Sequence, residues 1–267
     1  MEPSYEEKVR DLQENFSYYK NFRQKNVFDL QKEIIEYQNE AAEYQAQGDQ
    51  WSVNQVQQNI KQTEDVISQQ QDLMQYAREP TVEDYAYRYK QYADFSKTIQ
   101  KFVDEDELLC FHGTNIAAAR HIFESGSISS GASRLGYHTS FDAKGAISVT
   151  GIRMVDTSVQ SYMNLVSDMY LPAGCLFVVR AKDAQEYDRA VTGMSIKDVD
   201  FRNNPERLVA VVTTPENVGR VREWAQKGGV DMSKVMTFEG FVAKCQQNHQ
   251  QKETQTLKNA KESNAHT

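Results

Sequence analysis

Glycine and proline are distributed so unevenly along this chain that two kinds of structure follow. Residues 1–104 contain one glycine, Gly48, and two prolines, Pro3 and Pro80, while the remainder holds the other twelve glycines of the 13 present. Helix breakers are therefore missing from long stretches rich in Gln, Glu, Lys and Tyr, and the first part reads as three helices separated near Gly48 and Pro80. Val9, Leu12, Phe16 and Tyr19 repeat at helical spacing, and the pattern resumes at Val27, Leu30, Ile34, Tyr37, Ala41 and Tyr44. The eight-residue step from Tyr19 to Val27 predicts a rotated buried face or a bend. After Gly48, Val53, Val56, Ile60, Ile67 and Met74 form a second stripe with Thr63 and Gln70 in its seam, and an antiparallel hairpin covers both apolar faces. A third helix is expected after Thr81, with Asp84 three residues on as its capping partner.

This coiled-coil-like region, residues 1–104, supplies no chemistry. It suits an arm for self-assembly or partner docking, and equally a hairpin packed on its own chain. From Glu107 the composition changes: short apolar runs replace the helical stripes, and the boundary is set near 105. Strands are expected at Leu108–Phe111, Tyr137–Ser140, Leu176–Arg180 and Leu208–Thr213, with helices at Asn115–Glu124, Asp142–Val149 and Val218–Lys227 and a short strand or turn at Met236–Phe241. The fold class is α+β, a helical hairpin followed by a split-sheet domain over 105–245. Residues 246–267 hold one leucine and no aromatic side chain, so a disordered polar tail is expected.

The net charge of −8 counts against a general phosphate-backbone binder. No run of apolar residues is long enough to cross a membrane, and the acidic start MEPSYEEK has no secretory character, so a cytoplasmic protein, or one delivered as an effector by a specialised route, is expected. Cys110, Cys175 and Cys245 are odd in number and lack CxxC spacing, which implies neither a disulfide framework nor a zinc site. His112, His121 and His138 have no ligand spacing, and no metal is expected.

Three blocks carry chemistry. LLCFHGTNIAAARHIFESG, containing Phe111–Thr114, resembles the opening strand and helix of diphtheria-toxin-like and poly(ADP-ribose)-polymerase-like ADP-ribosyltransferases. LGYHTSFDAKGA, Leu135–Ala146, looks like their second motif, and NNPERLVAVVTTPE, Asn203–Glu216, resembles their catalytic-glutamate strand. The resemblance covers about half the chain and implies a transferase using NAD as co-substrate and releasing nicotinamide. It implies that His112 bonds a ribose hydroxyl, that the Gly113 backbone pairs with the nicotinamide amide and that Thr114 adds a ribose contact. Tyr137 would stack on the nicotinamide ring, and Glu206 would orient the ribose and stabilise the charge developing on it. Arg134 or Arg120 would meet the pyrophosphate. Asp200 and Glu216 are the alternative carboxylates, and Phe201 is either an acceptor contact or a core anchor.

His112 and Asn204 stand where the arginine-modifying subclass has Arg and Gln or Glu, so the His-Tyr-Glu pattern is favoured. Partners of the polymerase type behind Tyr137 are missing, with Ser148 in the later position, which implies mono-transfer. Rifamycin-modifying transferases and RNA 2′-phosphotransferases share parts of the pattern, so the acceptor stays open among protein, nucleic acid and small molecule. A toxin or effector role, NAD-dependent RNA 2′-phosphate removal and a non-catalytic helical scaffold are the expectations to separate.

Overall fold

A computed structural model describes residues 3–86, 98–129, 146–147, 149–152, 170–171, 174–191 and 196–264. The chain divides into two compact units, Met1–Tyr85 with Met169–Pro172, and Ala86–Asp168 with Ala173–Thr267. This boundary precedes the composition break near 105, because the described residues 98–104, although glycine-free, belong with the second unit. The fold class is α+β, as expected.

In the first unit, α1 (Tyr5–Glu14) starts in a full capping box, with the Ser4 hydroxyl accepting from the Glu7 N–H and the Glu7 carboxylate accepting from the Ser4 N–H. Helices α2 (Phe16–Gln47) and α3 (Gln50–Tyr76) form the hairpin, turned by Gly48 at φ +75°, a left-handed conformation that glycine adopts without penalty. The interruption falls at Asn15, between α1 and α2, and α2 itself runs unbroken through the eight-residue step. Arg23 divides that step into two four-residue steps: its guanidinium lies 5.1 Å from the centre of the Tyr19 ring and donates to the Gln70 side chain at 2.8 Å. A long cation thus fills the seam position where the stripe lacks an apolar residue. Val53, Val56, Thr63 and Ile67 are the buried residues of α3, as its stripe predicts. The expected cap at Thr81 is present: its hydroxyl accepts from the Asp84 N–H at the start of α4 (Val82–Ala86), and Asp84 accepts from the Thr81 N–H.

The second unit is built on a mixed five-stranded sheet. Its strands are β1 (Leu109–Thr114), β4 (Thr150–Gly151), β5 (Cys175–Arg180), β8 (Leu208–Thr213) and β9 (Val235–Thr237), in the order β4-β1-β5-β8-β9. Pairs up to β8 are antiparallel, and β8 and β9 are parallel, joined through helix α7 (Pro215–Lys227) as a βαβ crossover. Two short ladders lie outside it: β2 (Ser127–Ile128) with β7 (Val199–Asp200), and β3 (Ala146–Ile147) with β6 (Ile196–Lys197). The helix expected over Asp142–Val149 is thus replaced at 146–147 by a strand, whose Ile147 and partner Ile196 are both buried. Burial on a ladder overrides the weak helical signal of Ala-Lys-Gly-Ala. Helix α5 (Ile116–Ser125) follows β1 directly, capped by the Asn115 side chain and ended by Gly126 at φ +71°, and α6 (Ala184–Val191) follows β5.

Helix α8 (Phe238–Asn264) corrects the disordered tail. Phe238, Phe241 and Cys245 anchor its first turns in the core. Beyond them residues 250–263 are exposed, as the polar composition requires, but no glycine or proline stops propagation once a nucleus exists. Lys252 pairs with Asp104 at 3.2 Å and Glu107 at 2.9 Å.

Candidate functional site

The FHGT segment ends the strand β1. His112 and Gly113 are half-buried, whereas Phe111 and Thr114 are buried. His112 stands opposite Phe177, and Phe177 opposite Val211, so the three side chains share one face of the sheet. That face is packed by α5 through Phe123, whose ring lies 5.5 Å from that of Phe177. Asn115 caps α5 by accepting from the Ala118 N–H at 2.8 Å, which turns the chain sharply after Thr114.

Close backbone approach holds this turn. A Cβ on Gly174 would lie 1.9 Å from the Thr114 carbonyl oxygen and 2.7 Å from the Asn115 Cα, so the segment entering β5 passes where only a glycine fits. The Gly174 carbonyl accepts from the buried Thr213 hydroxyl at 2.9 Å. Thr114, Cys175 and Thr213 stand side by side across three strands, and they close one end of the sheet. Thr114 is 7% exposed; its side chain belongs to the core, which leaves its expected ribose contact without an accessible group. Gly174 had no motif to mark it, and only the pairing of β1 with β5 shows why it is glycine.

Glu206 lies elsewhere. It is exposed, in a 3-10 turn (Pro205–Arg207) before β8. Leu208 pairs with Val179, and Val211 is the β8 residue in line with His112. Glu206 is therefore five residues along and two strands across from His112, roughly 19 Å away at the Cα atoms by strand spacing. Glu216, exposed in the first turn of α7, follows Thr213 by three residues on the Thr114 side of the sheet and is likewise five residues along from Val211. Asp200 serves a turn: it accepts from the Asn203 and Arg202 N–H groups at 3.0 and 3.1 Å and from the Asn203 amide at 2.6 Å. The Asn203 backbone bond is the main reason its carboxyl is held below the ordinary range. Phe201 is 2% exposed and packs on Phe123, a core anchor and not an acceptor contact.

Arg134 and Tyr137 lie outside the described residues, as do His138 and Ser148. Arg120 pairs with Glu124 at 2.8 Å on α5. Among the described residues no group of His, Cys, Asp or Glu is arranged to hold a metal ion, and no helix is long and apolar enough to cross a membrane. The three cysteines are buried free thiols, each pushed up to about 12 by burial, so none is a nucleophile at neutral pH.

Around Glu206 the chain builds a separate cleft. Arg207 pairs with Glu186 at 2.9 Å, the two side chains 16% and 11% exposed, and donates through Nε to the Arg180 carbonyl at 3.1 Å. Lys234 donates to the Pro205 and Leu208 carbonyls at 2.7 and 2.6 Å. The turn carrying Glu206 is thus fastened from both sides. Burial is the main influence on Lys234 and holds its ammonium below the ordinary lysine range.

No protein-family model, no curated protein and no solved structure matches this chain.

Proposed function

We infer that the second unit is an NAD-dependent mono-ADP-ribosyltransferase, which cleaves the bond between nicotinamide and ribose and passes ADP-ribose to an acceptor. The observation that carries this reading is the position of Phe111–Thr114: the FHGT sequence ends a buried strand and turns at once into a capped helix, leaving His112 and Gly113 half-buried at the sheet's end. A glycine backbone there permits close approach of a planar amide, and the neighbouring imidazole has the donor and acceptor needed for a ribose hydroxyl. Nicotinamide leaves with the electron pair of the glycosidic bond, and a carboxylate near the ribose stabilises the positive charge left behind. With the nicotinamide end of NAD at His112, we assign that carboxylate to Glu216, which follows β8 on the side of the sheet where the FHGT turn lies, and not to Glu206, which precedes β8 on the other side.

Nicotinamide release from NAD, measured for wild type, His112→Ala, Glu216→Gln and Glu206→Gln with mixed protein, RNA and small-molecule acceptors, tests the proposal. Loss of about 10²-fold or more is expected in H112A and E216Q, the scale of removing one transition-state contact. Absence of release by wild type with every acceptor would sink the enzyme reading. A loss confined to E206Q would overturn the placement of the carboxylate.

A further inference from the structure

The cleft around Glu206 has a volume of about 460 Å³, within the range of roughly 300–1,000 Å³ typical of small-molecule sites. Its lining includes four cations, Arg180, Lys182, Lys197 and Arg207, and three carboxylates, Glu186, Asp198 and Glu206, a net positive charge in a chain whose net charge is −8. Arg207 is committed to Glu186 and to the Arg180 carbonyl, and the Lys182 N–H also donates to the Glu186 carboxylate. These bonds form the wall and join the end of β5, helix α6 and the turn before β8.

The other three cations are exposed, and they come from two segments, Arg180 and Lys182 from the end of β5 and Lys197 from β6. Among the described residues none of their side chains makes a hydrogen bond or an ion pair. Like charges gathered round one concavity repel, and an anion seated between them relieves that repulsion while receiving charge-assisted hydrogen bonds. Glu206 shares the lining with them; its carboxylate accepts no hydrogen bond among the described residues, and its turn is held by Lys234. A carboxylate repels a phosphate but accepts from hydroxyl groups.

We propose that this cleft binds a small phosphorylated sugar, with the phosphate among Arg180, Lys182 and Lys197 and a sugar hydroxyl on Glu206. A phosphomonoester on a hydroxylated carbon skeleton offers an anion to the cations and a donor to Glu206, and neither a bare anion nor a neutral sugar offers both. Mononucleotides and free sugar phosphates share this chemistry. The site stands apart from the His112 end of the sheet and does not rest on the transferase proposal.

Calorimetric titration of the full chain at low ionic strength with ribose 5-phosphate, AMP, inorganic phosphate and ribose tests it without NAD or turnover. Saturable binding of ribose 5-phosphate is expected, weakened at least about tenfold in the doubly substituted Arg180→Ala/Lys197→Ala variant, since hydrogen bonds to charged groups are lost. Glu206→Gln is expected to weaken ribose 5-phosphate relative to inorganic phosphate, whose affinity stays the same or rises because the carboxylate's repulsion is gone. Tighter binding of AMP than of ribose 5-phosphate would extend the ligand to nucleotides and still support the site. All three positions are exposed, and circular dichroism checks that the variants fold. Absence of saturable binding, binding unaltered in the double variant, or equal affinity for inorganic phosphate and ribose 5-phosphate would overturn the assignment.

Discussion

Gly174→Ala is expected to be among the most damaging single-methyl additions in the second unit. The new Cβ would sit 1.9 Å from the Thr114 oxygen and 2.8 Å from its carbonyl carbon. A carbon and a carbonyl oxygen in contact are about 3.3 Å apart, so relief requires a shift of about 1.4 Å by the same measure. None of the atoms struck is the end of a flexible side chain. Thr114 is paired with Cys175 in the sheet, and Asn115 caps α5, so either movement breaks something else. Overpacking costs about 1–3 kcal/mol, and a collision with paired backbone belongs at the upper end, about 3 kcal/mol.

The two tryptophans offer a clean assay, since Trp51 lies in the first unit and Trp224 in the second. In a Trp51→Phe background, urea unfolding followed by Trp224 fluorescence should show a midpoint lowered by about 1–2 M, for a slope of roughly 2 kcal/mol/M. Thr213→Val removes the buried hydroxyl that donates to Gly174 and should cost about 1 kcal/mol in the same assay. A midpoint for Gly174→Ala within about 0.3 M of the parent, well inside the effect of 1 kcal/mol, would refute the close packing of the FHGT turn.

Arg23→Ala should destabilise the hairpin by about 1–2 kcal/mol, since it removes both a charged hydrogen bond and a cation-π contact; urea unfolding reported by Trp51 in a Trp224→Phe background measures it, and an unchanged midpoint would refute the seam role. Burial pushes the Asp84 carboxyl up, but bonds from Arg78 at 2.6 and 2.7 Å and from Thr81 outweigh it and hold it below the ordinary range. Its contribution is therefore present above the ordinary aspartate pKa and lost as pH falls through the depressed one, so Asp84→Ala should lower the melting temperature at pH 7 and converge with wild type in acid. The buried thiols behave oppositely: with folded values of about 12, their contribution is present below the ordinary thiol pKa of about 8.5 and declines as pH rises toward the folded value. Iodoacetamide at pH 8 should leave all three unlabelled until urea is added, and rapid labelling of the native protein would contradict their burial.

Patterns that depend on near neighbours were legible in the residues alone. The hairpin with its turn at Gly48, the Thr81–Asp84 cap, the strands at 175–180 and 208–213, and the helix between Asn115 and Gly126 all follow from spacing, capping and breaker chemistry acting within a few residues. The polar end of the chain is the exception: its composition predicts a disordered tail, and it is helical through Asn264 because propagation needs no burial once Phe238, Phe241 and Cys245 have anchored the start. Tertiary structure alone decided which distant residues meet. Strand register placed Gly174 against Thr114 and set Glu206 and Glu216 beyond opposite ends of β8, with Glu216 on the side of the FHGT turn. It also gathered Arg180, Lys182 and Lys197 around one cleft, although no motif links them. Order along the chain does not say at which end of a strand a residue will lie, and a difference of five residues in register carries a carboxylate from one site to another.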